Sequence, residues 1–269
     1  MHPRISLHQV GFLDETTAGF VTFCREIGLR HTTLVTPKLF QSDESEGVLG
    51  AMAGGNLHVA VLNHALAMGS NLELAGAEES EKLMRAIDLA VSLGSRAIYL
   101  VSGGRGSLDW EAAAQRFVSL VLPCVDHAKD NGVELLVETA SSLNVDIHLA
   151  HTLDDTIRLA ELAGIGVCID LHACWFEARL KEKFTRAMPL TGLVQVSDYI
   201  AGDRTTPCRA VPGDGMIPLE RLIADLLDCG YKGVFDLELV GPRIEQEGAR
   251  EAARRAAEYL SDLLERLGA

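Results

Sequence analysis

Eight short runs rich in Val, Ile and Leu recur along the chain, and stretches of helical period fill the intervals between them. The runs are RISLH (4–8), HTTLV (31–35), LHVAVLN (57–63), RAIYLVS (96–102), VELLVE (133–138), GVCID (166–170), GLVQVS (192–197) and GVFDLEL (233–239). Short continuous apolar runs suit strands buried on both faces, and parallel strands must be joined by long crossovers, usually helices. Helices are expected near residues 14–28, 43–54, 75–93, 109–131, 152–164, 176–188, 217–229 and 243–267. Gly28, Gly94, Gly132, Gly164 and Gly230 stand just past expected helix ends, where the chain often turns left-handed. Eight βα units within 269 residues predict an α/β fold, a closed (β/α)8 barrel. No Pro- or Ser-rich linker divides the chain, so residues 1–269 read as one domain. The rival, a doubly wound sheet, lacks its G-x-G-x-x-G after the first strand.

Composition narrows the partners. The chain is 48% hydrophobic but has no uninterrupted apolar run of the ~18 residues that a membrane span needs. Its first residues, MHPRISLHQVGF, lack the pattern of a secretory signal, and a cytoplasmic protein is expected. Six cysteines (Cys24, Cys124, Cys168, Cys174, Cys208, Cys229) show no C-x-x-C spacing, which argues for free thiols over zinc knuckles or disulfides. A net charge of -14 repels phosphodiester backbones, so the expected partner is a small-molecule substrate rather than nucleic acid or a membrane. An exposed helix face or the C-terminal helix could support a homo-oligomer.

Four acidic or amide residues stand near the ends of the last four strand-like runs: Glu138, Asp170, Gln195 and Glu238. A parallel barrel brings such strand ends to one rim, where side chains from different strands converge on a metal and a substrate. Taken singly, each has an ordinary explanation as a helix cap, an ion-pair partner or a polar barrel residue; their order along the chain favours the shared site. The segment after the seventh run, DYIAGDRTTPCRAVPGDGM, is long for a βα connection and carries Arg204 and Arg209. An arginine fork can grip a carboxylate, a phosphate or paired hydroxyls. Trp175 and Phe176 follow Asp170 closely and could stack on or cover a ligand, while Ser102-Gly103-Gly104-Arg105-Gly106 could approach an anion through backbone amides. His8, His64, His148 and His151 read as structural.

With these residues the chain resembles the xylose-isomerase-like TIM barrel superfamily of sugar phosphate isomerases and epimerases, which also contains apurinic-site endonucleases and inosose dehydratases. The resemblance covers nearly the whole sequence. It maps the superfamily's fifth-strand Glu onto Glu138 in LLVETA, the sixth-strand Asp onto Asp170 in VCIDLHA, and the eighth-strand Glu onto Glu238 in FDLEL. It implies Glu138, Asp170, Gln195 and Glu238 as metal ligands, and Arg209, four residues before Gly213-Asp214-Gly215, as a substrate contact beside Arg204, Trp175 and His172.

Two departures matter. The usual seventh-strand His is Gln195, which makes the donor set all oxygen and favours Mn²⁺ or Mg²⁺ over Zn²⁺. The usual Asp-x-x-His is Asp170-Leu171-His172, and period-two geometry would bring His172 onto the side of Asp170 if the strand continued. The implied reaction is isomerisation or epimerisation of a sugar, sugar phosphate or related hydroxy-ketone, with Glu138 and Glu238 moving a proton through a metal-stabilised enediolate. Expulsion of a β-hydroxyl would make the same machinery a dehydratase or lyase of a cyclic polyol. Loss of the seventh-strand His leaves a third reading, a barrel that binds a small ligand without turnover.

Overall fold

The computed structural model describes residues 1–41, 44–52 and 55–269. Eight strands form as expected: β1 (Ile5–His8), β2 (His31–Val35), β3 (His58–Ala65), β4 (Ala97–Val101), β5 (Glu134–Glu138), β6 (Gly166–Asp170), β7 (Thr191–Val196) and β8 (Phe235–Leu237). Each pairs in parallel with the next, and β8 returns to β1 through Ile5↔Phe235 and Leu7↔Leu237, closing the barrel. Closure leaves no sheet edge exposed.

The main crossover helices are α1 (Thr17–Glu26), α2 (Glu44–Met52), α3 (Glu78–Leu93), α4 (Trp110–Asp130), α5 (Leu153–Ala163), α6 (Leu180–Ala187), α7 (Leu219–Asp228) and α8 (Ala249–Arg266). Residues 43, 53 and 54 of the expected second helix lie outside the described residues. Local chemistry sets several boundaries. Thr152 accepts a hydrogen bond from the Asp155 amide at the start of α5, and its hydroxyl donates to the Asp155 carboxylate. Gly164 closes that helix at φ 66°, a conformation that costs a residue with a Cβ. The helix expected over 243–267 is broken at Gly248, which leaves a short separate helix, Pro242–Glu247, ahead of α8.

The apolar core has two layers. The larger lies between the strands and the helices, where α8 presents Ala252, Ala253, Ala256, Ala257, Leu260, Leu263 and Leu264 at helical spacing. The smaller layer fills the barrel itself: Val61, Ala97, Tyr99, Leu136, Cys168 and Leu193. Leu136 plugs the end where the strands begin. A Cβ on Gly166 or Gly192 would lie 2.6 or 2.7 Å from its methyl carbon, so neither glycine can gain a side chain without moving the plug. Opposite this layer the interior is polar, with Ser6 and Thr33 hydroxyls 3.4 Å apart and the Asp236 carboxyl fully buried.

Candidate active site

Strand alternation decides which side chains reach the open end. On β5 and β6, Leu136 and Cys168 point into the barrel, so Glu138 and Asp170, two residues on, also point inward at the top. Glu238 lies one residue past β8, two after the inward Asp236, and its amide donates to the Val196 carbonyl. Glu138, Asp170 and Glu238 therefore converge: one oxygen from each falls within 4.8 Å of the others, and all three residues are buried.

Arg209 enters this acidic group from the loop after β7. Its Nη1 donates to Asp170 Oδ1 (3.1 Å) and to Ser197 Oγ (3.0 Å), and its Nη2 donates to Asp170 Oδ2 (2.8 Å). The same Nη2 lies 2.7 Å from Glu238 Oε2, but off the direction a hydrogen bond needs, so that contact is an ion pair without a formed bond. Burial opposes the guanidinium charge; Asp170 and Glu238 more than offset it and keep the group protonated.

Asp198 explains how the loop holds this position. Its carboxylate accepts from the backbone amides of Tyr199, Gly213, Gly215 and Ile217, gathering both ends of the loop onto one anion. Residues 198 and 210 form an antiparallel bridge, and the Arg209 amide donates to the Val240 carbonyl. The Gly-Asp-Gly turn thus serves the fold of the loop: a Cβ on Gly215 would sit 2.3 Å from Asp198 Oδ1.

Ionised together, three carboxylates would exceed the one guanidinium by two charges in a buried site, and the proton affinities of the acids rise against that. Burial pushes Glu138 well above the ordinary carboxylate range, and Glu238 and Asp170 push it further. Glu238 is raised to about 7, first by burial, with Arg209 pulling back and Asp170 and Asp236 adding to the rise. Asp236, below them, is raised to about 6 by burial against the pull of Ser6, Thr33 and Arg209.

The remaining expected residues are placed as follows. Gln195 lies beside Asp170 in register, fully buried; its Oε1 accepts from the Cys168 thiol at 3.2 Å and its Nε2 has no partner. His172 reaches the pocket wall, but not by strand alternation: β6 stops at Asp170, whose carboxylate caps a helical turn over Leu171–Cys174 and accepts from the His172 amide. Trp175 and Phe176 line the pocket with their rings edge to face, centroids 6.1 Å apart. Arg204 stands on the exposed part of its loop, outside the pocket lining. The glycine-rich segment 102–106 also lies outside that lining, with the Gly103 amide donating to the Ile147 carbonyl, so it offers no cradle for an anion here.

His148, read from sequence as structural, belongs to the site. It is buried, lines the pocket, and its Nε2 lies 4.0 Å from Glu138 Oε2. Burial lowers its pKa to about 3, so the approach is a contact of a neutral ring with an acid. His8 and His64 are structurally accounted for through Tyr99 and Thr36, each at 2.7 Å.

The sequence family described as xylose isomerase-like TIM barrel matches residues 21–263. The chain belongs to that family. Solved structures of low identity share the fold. The IOLI protein with a bound zinc atom is 16% identical at a TM-score of 0.83, covering 98% of this chain and 99% of its own. D-psicose 3-epimerase from Clostridium cellulolyticum H10, solved with D-tagatose, is 15% identical at 0.78 (97% and 99%). An AP endonuclease, family 2, from Brucella melitensis is 18% identical at 0.75 (92% and 98%). No curated protein sequence matches the chain. As a member of this barrel family, the protein carries its acidic group at the strand ends where barrel active sites lie. Among the described residues, no helix is long and apolar enough to cross a membrane.

Proposed function

We propose that this barrel is a divalent-metal-dependent isomerase or epimerase that moves a proton between carbons, or between faces of one carbon, of a hydroxy-carbonyl substrate. The observation that carries the reading is the convergence of three carboxyl groups, Glu138, Asp170 and Glu238, on a single cation, Arg209, in one buried pocket. A buried charge imbalance of that size calls for a divalent cation or for protons, and a site that exchanges one for the other is suited to acid–base work.

Glu138, Asp170 and Glu238 fit such an ion by number, spacing and hard oxygen donors, and Gln195 would join them by turning its amide oxygen from the Cys168 thiol. The all-oxygen set favours Mn²⁺ or Mg²⁺. When bound, the ion would polarise the substrate carbonyl and its neighbouring hydroxyl, which would acidify the C–H bond of the hydroxyl-bearing carbon. Glu138 and Glu238 reach the site from β5 and from just past β8, three strands apart round the barrel, so one can remove the proton and the other return it. Arg209 keeps Asp170 and Glu238 aligned and offers its remaining edge to substrate oxygens, with His172 and Trp175 on the wall beside it. We also assign the protein to a reducing compartment such as the cytoplasm, a reading supported by its six free thiols.

Incorporation of deuterium at the carbon next to a ketone, followed by NMR in D₂O with Mn²⁺ or Mg²⁺ present, tests the proposal. Glu138→Gln and Glu238→Gln should each slow exchange by about 10²- to 10⁴-fold while circular dichroism stays unchanged. Full activity in both variants would sink the assignment.

A further inference from the structure

The pocket above the acidic group is large and its upper wall is apolar. Its volume of about 920 Å³ stands near the top of the range of roughly 300–1,000 Å³ typical for drug-sized ligands. The polar groups that can meet a substrate, Glu138, His148, Arg209 and Glu238 among them, lie at the floor. The mouth is different. Leu13, Met68, Leu143 and Phe176 line it from the loops after β1, β3, β5 and β6, and they keep 47%, 55%, 51% and 64% of their surface exposed. Isolated exposed apolar side chains need no explanation, but four of them from four separate loops around one opening form a patch of the kind that marks a binding surface.

Several polar side chains on the same rim are already committed. Asn144 accepts from Thr206, Asp203 pairs with Arg243, and Lys38 donates to the Leu13 carbonyl and pairs with Glu44. A polyol reaching up from the floor would surrender hydration from each hydroxyl, with Asn63 and Asp146 as lining partners outside these pairs but no partner among the apolar side chains of the rim, a net loss for every group left unpaired. A flat apolar group would meet Trp175, whose ring lies 6.1 Å from Phe176 and 6.4 Å from Tyr199 between centroids, an aromatic wall spaced for offset or edge contact.

We infer that the substrate is a hydroxy-carbonyl compound carrying an aryl group: the polar head is held at the floor by Arg209 and the acidic residues, and the ring is held at the mouth by Trp175, Phe176, Met68 and Leu143. This rests on the proton-transfer reading for the head and adds the class of its substituent.

The test compares two ketols with the same head, 2-hydroxyacetophenone and dihydroxyacetone, on the full chain with Mn²⁺. Binding is measured by calorimetry and proton exchange by NMR in D₂O. The aryl ketol should bind about ten-fold or more tightly than dihydroxyacetone, the effect of burying a ring. A Met68→Asn/Phe176→Asn double variant, altered only at exposed positions, should lower that preference several-fold. Equal or better binding of dihydroxyacetone, a preference untouched by the double variant, or binding of neither ketol overturns the inference. The two readings fail separately. Tight aryl binding without exchange of either ketol supports the aryl pocket and refutes proton transfer, whereas exchange of dihydroxyacetone with no aryl preference does the reverse.

Discussion

Two glycine-rich loops at the open end of the barrel have opposite fates. The loop after β4, Ser102 to Gly106, spends its polar groups on its neighbours: Ser102 Oγ accepts from the Leu149 amide, the Gly103 amide donates to Ile147, and the Gly104 carbonyl accepts from Leu72. The loop after β7 gives its amides to a single carboxylate, Asp198, and that frees Arg209 to cross into the acidic group. Glycine content therefore says that backbone approaches something closely, without saying what. In one loop the close neighbour is another loop; in the other it is an anion that folds the loop so that Arg209 enters the acidic group.

Arg209→Met should break this contrast most completely. It strands Asp170 and Glu238 without their buried cation, and removing one partner of such a pair costs about 3–5 kcal/mol, readable as a lower urea midpoint. Added Mn²⁺ should restore part of that loss. Asp198→Ala should come next, at about 1–3 kcal/mol for the amides it leaves unpaired, with a raised KM because Arg209 loses its support.

The glycines sharpen the comparison, because a Cβ meets an equally close atom in each loop: 2.2 Å from the Asp146 carbonyl at Gly104, and 2.3 Å from Asp198 Oδ1 at Gly215. Both Gly104→Ala and Gly215→Ala should cost about 1–3 kcal/mol. Only Gly215→Ala should also depress kcat/KM, and an equal kinetic penalty at Gly104 would erase the distinction between the loops. Arg204→Ala, exposed on the same loop as Arg209, should change stability by less than about 0.5 kcal/mol and leave turnover as it was.

The strands were legible because each is buried on both faces, so GVCID or VELLVE shows its apolar run directly. Their carboxylates were legible for the related reason that a charge closing such a run must have a partner waiting. His148 was not, since nothing in a loop sequence reveals that Ser102 and Gly103 hold the segment around Ile147 and Leu149 against the barrel top. The His8–Tyr99 hydrogen bond spans residues 91 positions apart, a pairing that exists only once the barrel closes. His172 came to the pocket by another route than its spacing suggested, because the Asp170 carboxylate stops the strand and starts a helical turn. The spacing of Arg209 from Gly213 already set it apart from Arg204 in sequence; the carbonyl of Val240 and the bridge from Asp198 to Ala210 are what hold it in place.

Leu136, seated against Gly166 and Gly192, makes the barrel a vessel with one door. Whatever enters past Phe176 and Met68 must leave by the same way. Under the proposed reaction, substrate and product would queue for a single passage, and a product that lingers at the mouth would act as a competitive brake on its own formation.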